Sequence, residues 1–329
     1  MPGMTAVTTA LPEGWTLRRP TLDDVTEILA LAHASDVASV GAPDYTAEEV
    51  REALTEPNTD MTRDSWVALD GDGAIVGWAY PHNADGGPRD FADIYVWPER
   101  GLPAMRPLLA LMMDRMSERA AELGHDPYEV RAGAIPTEQP YIDALTDAGF
   151  VFLKQHARMQ MSLAGVSPTP PAPPPGVTVR TVRSDDETEM RRFHEVIATA
   201  FRDSDHQAPG YDDWRKQVDN ATSNSFDEWF VAEVDGEVVG ALQSSDSGAE
   251  DNEGWVTRLA TLRAYRKKGV GAALLRQAFA VYAGKGRIHA GLGVDLANPT
   301  EAARLYYAVG MTPLYRANVY RTYVAAKAV

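Results

Sequence analysis

The chain has 329 residues, long for one domain and suited to two of about 150 residues each. Its hydrophobic content of 44% is enough for two cores, and its formal net charge of −16 opposes nucleic acid or an anionic membrane as partner, while suiting a cationic amine. Cysteine is absent, which excludes disulfides, thiolate metal sites and a cysteine nucleophile.

In chain order, the opening MPGMTAVTTALPEGW has no basic n-region and no long apolar run, so it is expected not to be a secretory signal. No window offers the roughly 18 apolar residues that span a bilayer, and the expected location is the cytoplasm. Residues 16–31, TLRRPTLDDVTEILAL, give a short β-rich run, two acids and a helical pattern. SWVALDGDGAIVGWAY predicts a hairpin turning at residues 70–73. A further strand, a helix over residues 104–123, another strand and a helix closing at Gly149-Phe150 complete this half.

SPTPPAPPPG follows, with six prolines in the eight residues 168–175. Such a run neither continues a helix nor pairs within a sheet, and it predicts an extended polyproline spacer. The expected organisation is a first domain over residues 1–165, a linker over 166–176 and a second domain over 177–329.

The second half repeats the first. TVRTVRSDDETEMRRFHEVI again gives strand, acids and helix, and WFVAEVDGEVVGALQ predicts a hairpin turning at Asp235-Gly236. An apolar strand, WVTRLATL, then runs through RAYRKKGVG into the helical AALLRQAFA. The loop between them is basic, through Arg266, Lys267 and Lys268, and carries glycines at Gly269 and Gly271. Such a loop leaves backbone amides, among them those of Val270 and Ala272, at a helix N-terminus beside positive charge, an arrangement that binds phosphate oxygens. We read it as a pyrophosphate cradle. A Rossmann loop would need a third glycine where Leu274 stands, and a Walker loop would need Gly-Lys-Ser/Thr where the chain has Ala-Ala. The last part, LGVDLANPTEAARLYYAVGM, gives a strand, Asn298 before Pro299, and a helix ending in Gly310-Met311.

The spacing Arg266-x-x-Gly269-x-Gly271, followed one helix later by Asn298 and Leu305-Tyr306 ahead of Gly310, resembles the two signatures of the GNAT family of N-acetyltransferases. The resemblance is close over the last 150 residues or so and holds in outline over the first 160. It implies an α/β (α+β) chain of two tandem acyl-CoA N-acyltransferase domains, each a mixed, mostly antiparallel sheet flanked by helices. It also implies acetyl-CoA as co-substrate, with no metal. The tandem arrangement is similar to that of mycothiol synthase and other actinobacterial tandem acetyltransferases.

Site roles follow from the same resemblance. Backbone groups of Thr261 and Leu262, at the end of a bulged and splayed strand, are implied to meet the pantetheine amides and the thioester carbonyl. Where the family often has a proline, this chain has Arg263. Asn298 is a helix start that the resemblance also sets against the pantetheine arm. Tyr306, equally readable as a core aromatic, takes the family's position for the acid that protonates the departing thiolate. Glu253 is a candidate base near the start of the strand, also readable as a solvated turn residue. Asp203, Asp205 and His206 lie in the segment that lines the acceptor site in related folds.

The first half lacks these features. At the cradle position it reads WPERGLPAM, where Glu99 brings negative charge and Pro103 removes an amide, and Leu145 stands in the place of Tyr306. The expected function is therefore acetyl transfer to a primary amine by the second half, with a degenerate first half. The alternatives are a non-catalytic acyl-CoA-binding module and an acetyltransferase acting on a peptide or protein amine. A small-molecule amine as partner and a monomer rather than a homodimer are expected, because an internal duplication reproduces within one chain the dimer of single-domain relatives.

Overall fold

The computed structural model describes residues 10–84, 86–202, 208–220, 225–246, 248–249, 251–296 and 302–327. The chain divides into two compact units. One holds the described residues up to Gln155 and those from Arg316 onward; the other runs from His156 to Tyr315.

The first unit opens with β1 (Thr16–Arg18), α1 (Val25–Val40), α2 (Ala47–Thr55) and α3 (Met61–Asp64). Next come β2 (Trp66–Leu69), β3 (Ile75–His82), β4 (Arg89–Val96), α4 (Leu102–Leu123), β5 (Tyr128–Ala134) and α5 (Gln139–Asp147). β6 (Val151–Ser162) leads out of it. The second unit contains β7 (Val177–Thr181), α6 (Glu187–Ala200), α7 (Tyr211–Asn220), β8 (Phe230–Val234) and β9 (Glu237–Ser245). β10 (Glu253–Thr261), α8 (Val270–Gly284), β11 (His289–Asp295) and α9 (Ala302–Ala308) follow, and β12 (Thr312–Val324) ends the chain.

Local chemistry sets several of these boundaries. Thr46 and Glu49 form a reciprocal capping box at α2, and the Asp186 carboxylate accepts from the amides of Thr188 and Glu189 at the start of α6. The hairpin turns sit where the Asp-Gly pairs predict, with Gly73 at φ +83° and Asp235-Gly236 at +52° and +80°.

The first unit's sheet runs β1-β2-β3-β4-β5-β12 and the second's β7-β8-β9-β10-β11-β6. Within each, every pairing is antiparallel except one, β4 with β5 and β10 with β11. The repeat read from the sequence is thus a repeat of topology. Where the sequence reading divides the chain at the proline run, the units exchange their last strands: β12 pairs with β5 through Asn318–Ala134 to Val324–Tyr128, and β6 pairs with β11 through Ser162–His289 to His156–Asp295. Hydrophobic pattern alone cannot show this, because either strand offers the same alternation to either sheet.

A glycine in each sheet admits the long helix. A Cβ at Gly77 would come 2.8 Å from Leu108 of α4, and one at Gly240 would come 2.8 Å from Val270 of α8. These close approaches seat α4 on β3 and α8 on β9.

Candidate active site

The parallel ladder between β10 and β11 runs only from Glu253–His289 to Val256–Leu292, although both strands continue. Against β9, the register of β10 shifts between Val256 and Arg258, a bulge at Thr257. The strand is bulged and splayed, as the resemblance implies, and its later part offers backbone groups to a ligand.

The two residues at its end are held differently. The Leu262 amide donates to the Val239 carbonyl at 2.9 Å, so it is not a free donor, which corrects the role expected for it. Successive strand amides alternate edges, so the Thr261 amide points to the opposite side, the one β11 has left. The Thr261 carbonyl accepts from Arg266 Nε at 3.1 Å. Arg266 also reaches the Ala200 carbonyl at the end of α6, at 3.4 Å. Its guanidinium braces the loop, a role that the sequence reading missed.

Beyond Arg266 the backbone is left-handed at Lys267 (φ +62°) and again at Gly269 (φ +81°), the N-cap of α8. No side chain caps this helix. The first backbone bond that its opening residues donate is Ala273 to the Gly269 carbonyl, at 3.0 Å, so the amides of residues 267–272 have no backbone acceptor among the described residues. Lys267 and Lys268 are exposed beside them, with Lys268 Nζ 5.1 Å from the centre of the Tyr265 ring. Unpaired amides and the helix dipole at the start of α8, with two exposed lysines adjacent in the chain, suit a pyrophosphate.

Packing fixes both glycines. A Cβ at Gly271 would come 2.9 Å from Leu305 Cδ2, which sets α9 against the start of α8, with Thr261 Oγ1 3.6 Å away. A Cβ at Gly269 would come 2.8 Å from Pro174 Cγ, and one at Gly284 would come 3.5 Å from Pro168 Cβ. The proline run therefore lies antiparallel along α8. Six residues of polyproline span about 19 Å, close to the roughly 22 Å that separate residues 269 and 284 on a helix.

Tyr306, next to Leu305, is 8% exposed and belongs to the second unit's hydrophobic cluster, whereas Tyr307 is exposed. Burial pushes the Tyr306 phenol up to about 12. It is therefore fully protonated at neutral pH, the state that a proton donor needs. Its hydroxyl has no hydrogen-bond partner among the described residues.

Glu253 is 1% exposed; one carboxylate oxygen accepts from Arg158 at 2.7 Å and the other from Gln160 Nε2 at 2.9 Å. This binds β10 to β6, and it corrects the reading of Glu253 as a solvated turn residue: the carboxylate is buried, and both of its oxygens are engaged by β6. Asn298, Asp203, Asp205 and His206 lie outside the described residues.

At the corresponding place in the first unit the amides of Arg100, Gly101, Leu102 and Ala104 donate within the turn, to the carbonyls of Pro98, Trp97, Glu99 and Gly101. A Cβ at Gly101 would come 2.4 Å from the Val76 carbonyl and 2.5 Å from the Trp97 amide. Pro103 opens α4, and the cleft of about 390 Å³ beside it is lined by Leu11, Pro12, Met105 and Pro140, with Arg106 as its one charged residue. β4 and β5 nevertheless splay, their ladder ending at Phe91–Arg131.

The model of the acetyltransferase (GNAT) family matches residues 190–311, which include the cradle and Tyr306. Over its whole length the chain is similar in fold to a GCN5-related N-acetyltransferase from Sphaerobacter thermophilus (TM-score 0.80, 23% identity, 96% of this chain and 98% of that one). It is also similar to a tandem GNAT protein from the clavulanic acid biosynthesis pathway (TM-score 0.66, 17% identity, 96% and 99%). A GNAT-family acetyltransferase from Colwellia psychrerythraea matches with TM-score 0.57 at 13% identity, over 94% of this chain and 98% of that one. No curated protein matches by sequence. No helix among the described residues is long and apolar enough to cross a membrane.

Proposed function

We propose that the second unit, in which residues 190–311 match the acetyltransferase (GNAT) family model, transfers the acetyl group of acetyl-CoA to a primary amine of a small molecule, by direct attack in a ternary complex. The observation that carries this reading is the row of unpartnered amides over residues 267–272 at the uncapped start of α8. These amides, with Lys267 and Lys268, hold the pyrophosphate.

The Thr261 amide faces the splay and meets the thioester oxygen as negative charge develops there. The amine nitrogen attacks the acetyl carbon, the carbon–sulfur bond breaks, and the departing thiolate takes its proton from Tyr306. The proton shed by the nitrogen leaves through a base or a water chain on the acceptor side. No cysteine exists to carry the acetyl group, which favours direct attack over a two-step route. The excess of acidic residues favours a cationic acceptor over nucleic acid or an anionic membrane, and the internal duplication favours a monomer.

Calorimetric titration with acetyl-CoA tests the proposal. One site per chain in the wild type, lost in Gly269→Glu/Gly271→Glu, is the expected result. Two sites would show that the first unit also binds, and absence of binding would overturn the acetyltransferase reading. Binding without turnover across a panel of small amines and peptides would leave an acyl-CoA-binding module.

A further inference from the structure

The proline run is fixed to the second unit at both ends. At one end the Leu163 amide donates to the Ile288 carbonyl at 2.9 Å, and at the other Val177 opens β7. The run closes in a turn, in which the Val177 amide donates to the Pro174 carbonyl at 3.0 Å across Gly176 at φ +79°. Of residues 171–176, Pro174 alone is partly buried, and its ring lies on Gly269.

The first unit contains the same turn. The Trp15 amide donates to the Pro12 carbonyl at 3.1 Å across Gly14 at φ +82°. The two turns hold equivalent places: Arg18 pairs with Val67 and Arg180 with Val231, each valine the second residue of its strand, and each proline stands six residues before its arginine. Pro12 meets the start of α4 beside Leu102 and Pro103. The turn thus seats the long helix in both units. In the first unit the amides before that helix are bonded within their own turn, whereas in the second those of residues 267–272 have no backbone acceptor among the described residues. Only in the second unit does the same contact bear on open donors.

Gly269 has no side chain to restrict it, and a glycine leaves the left-handed region readily. Lys267, two residues earlier, is left-handed as well, a costly conformation that persists where neighbours hold it. Arg266 holds one end of this loop, through the carbonyls of Thr261 and Ala200. Pro174 stands at the other end, on Gly269. It offers the cofactor no hydrogen bond of its own, because proline has no N–H and the Pro174 carbonyl is taken by Val177. A loop already fixed in its binding conformation loses less freedom when a ligand arrives. We propose that Pro174 is a positioning residue for acetyl-CoA, holding Gly269 left-handed so that the amides of residues 267–272 stay aimed at the pyrophosphate. This rests on the reading of the second unit as the one that binds acetyl-CoA.

The test compares the full-length wild type with Pro174→Ala, Pro174→Gly and, as control, Pro12→Ala, which removes the proline of the equivalent turn. Calorimetry with acetyl-CoA is expected to show a Kd raised about tenfold by either change at Pro174 and unchanged by Pro12→Ala. Hydrogen exchange in the free protein reads the first turn of α8 through the Ala273 amide, which donates to the Gly269 carbonyl. That amide is expected to exchange severalfold faster in the Pro174 variants and at the wild-type rate in Pro12→Ala. With turnover, KM for acetyl-CoA rises while kcat stays within about twofold. Wild-type binding with a Kd unchanged by both Pro174 variants would overturn this proposal alone. An equal rise in Kd in Pro12→Ala would also overturn it, by showing a general loss of stability. Absence of acetyl-CoA binding by the wild type would overturn the acetyltransferase reading and this proposal with it.

Discussion

Pro174 stands against Gly269, and the contact joins the proline run to the first residue of the cradle: a Cβ at Gly269 would come 2.8 Å from Pro174 Cγ. Gly269 is also left-handed, at φ +81°. Two physical reasons thus demand glycine at one position, and they separate experimentally. Gly269→Ala is expected to cost about 1 kcal/mol through its backbone conformation and more through displacement of Pro174. In a Pro174→Ala background the second part disappears, so chemical denaturation of the four proteins gives a coupling energy of about 1 kcal/mol. Strict additivity would show that the contact carries no energy.

Tyr306 separates acid from core aromatic. If its phenol protonates the departing thiolate, Tyr306→Phe lowers kcat by about 10²-fold and leaves acetyl-CoA affinity nearly unchanged. The hydroxyl has no partner among the described residues, so its removal is expected to shift stability by less than about 1 kcal/mol. Turnover equal to wild type would return Tyr306 to the hydrophobic cluster alone.

Glu253 gives the opposite pattern. Glu253→Ala leaves Arg158 without its buried carboxylate and is expected to destabilise the chain by about 3 kcal/mol, read as a lower urea midpoint. Below its unfolding temperature the variant keeps its turnover within about threefold. A hundredfold loss of kcat with an unshifted midpoint would show Glu253 to be the base.

Asp93 sets a pH dependence. Burial raises its carboxyl from 3.8 to about 6, opposed by His82 and the Tyr80 hydroxyl. Tyr45, Tyr95 and Tyr141 also sense its charge. Because the folded chain holds this proton more tightly than the unfolded one, the group opposes folding increasingly as pH rises from about 4 to about 6, and evenly above that. The size is on the order of 2 kcal/mol, since each tenfold change in proton affinity is worth about 1.4 kcal/mol and solvent at the accessible edge of Asp93 screens part of the effect. Asp93→Asn is therefore expected to gain stability over the wild type between pH 4 and pH 6. Parallel stability curves for the two proteins would contradict a raised Asp93.

Much of the second unit was legible in the sequence itself. Strand, basic loop, Gly-x-Gly and helix are local chemistry, because φ at a glycine, unpaired amides at a helix start and alternation along a strand are properties of a few neighbouring residues. The duplication was legible for the same reason, as was the loss of the cradle at Pro103, since a missing amide needs no partner to be missing.

Tertiary structure alone decided which long-range partners those residues take. Either of two alternating strands can close either sheet, so the exchange of β6 and β12 was invisible in sequence. Glu253 reads as an acidic turn residue until Arg158, 95 positions away, is brought to its carboxylate. The proline run reads as a spacer until Pro174 meets Gly269. Asp93 is one acid among 47 acidic residues until the pairing of β3 and β4 sets it opposite Tyr80. In each case what was missing is the same quantity: the desolvation and contact that a side chain meets only when distant segments close around it.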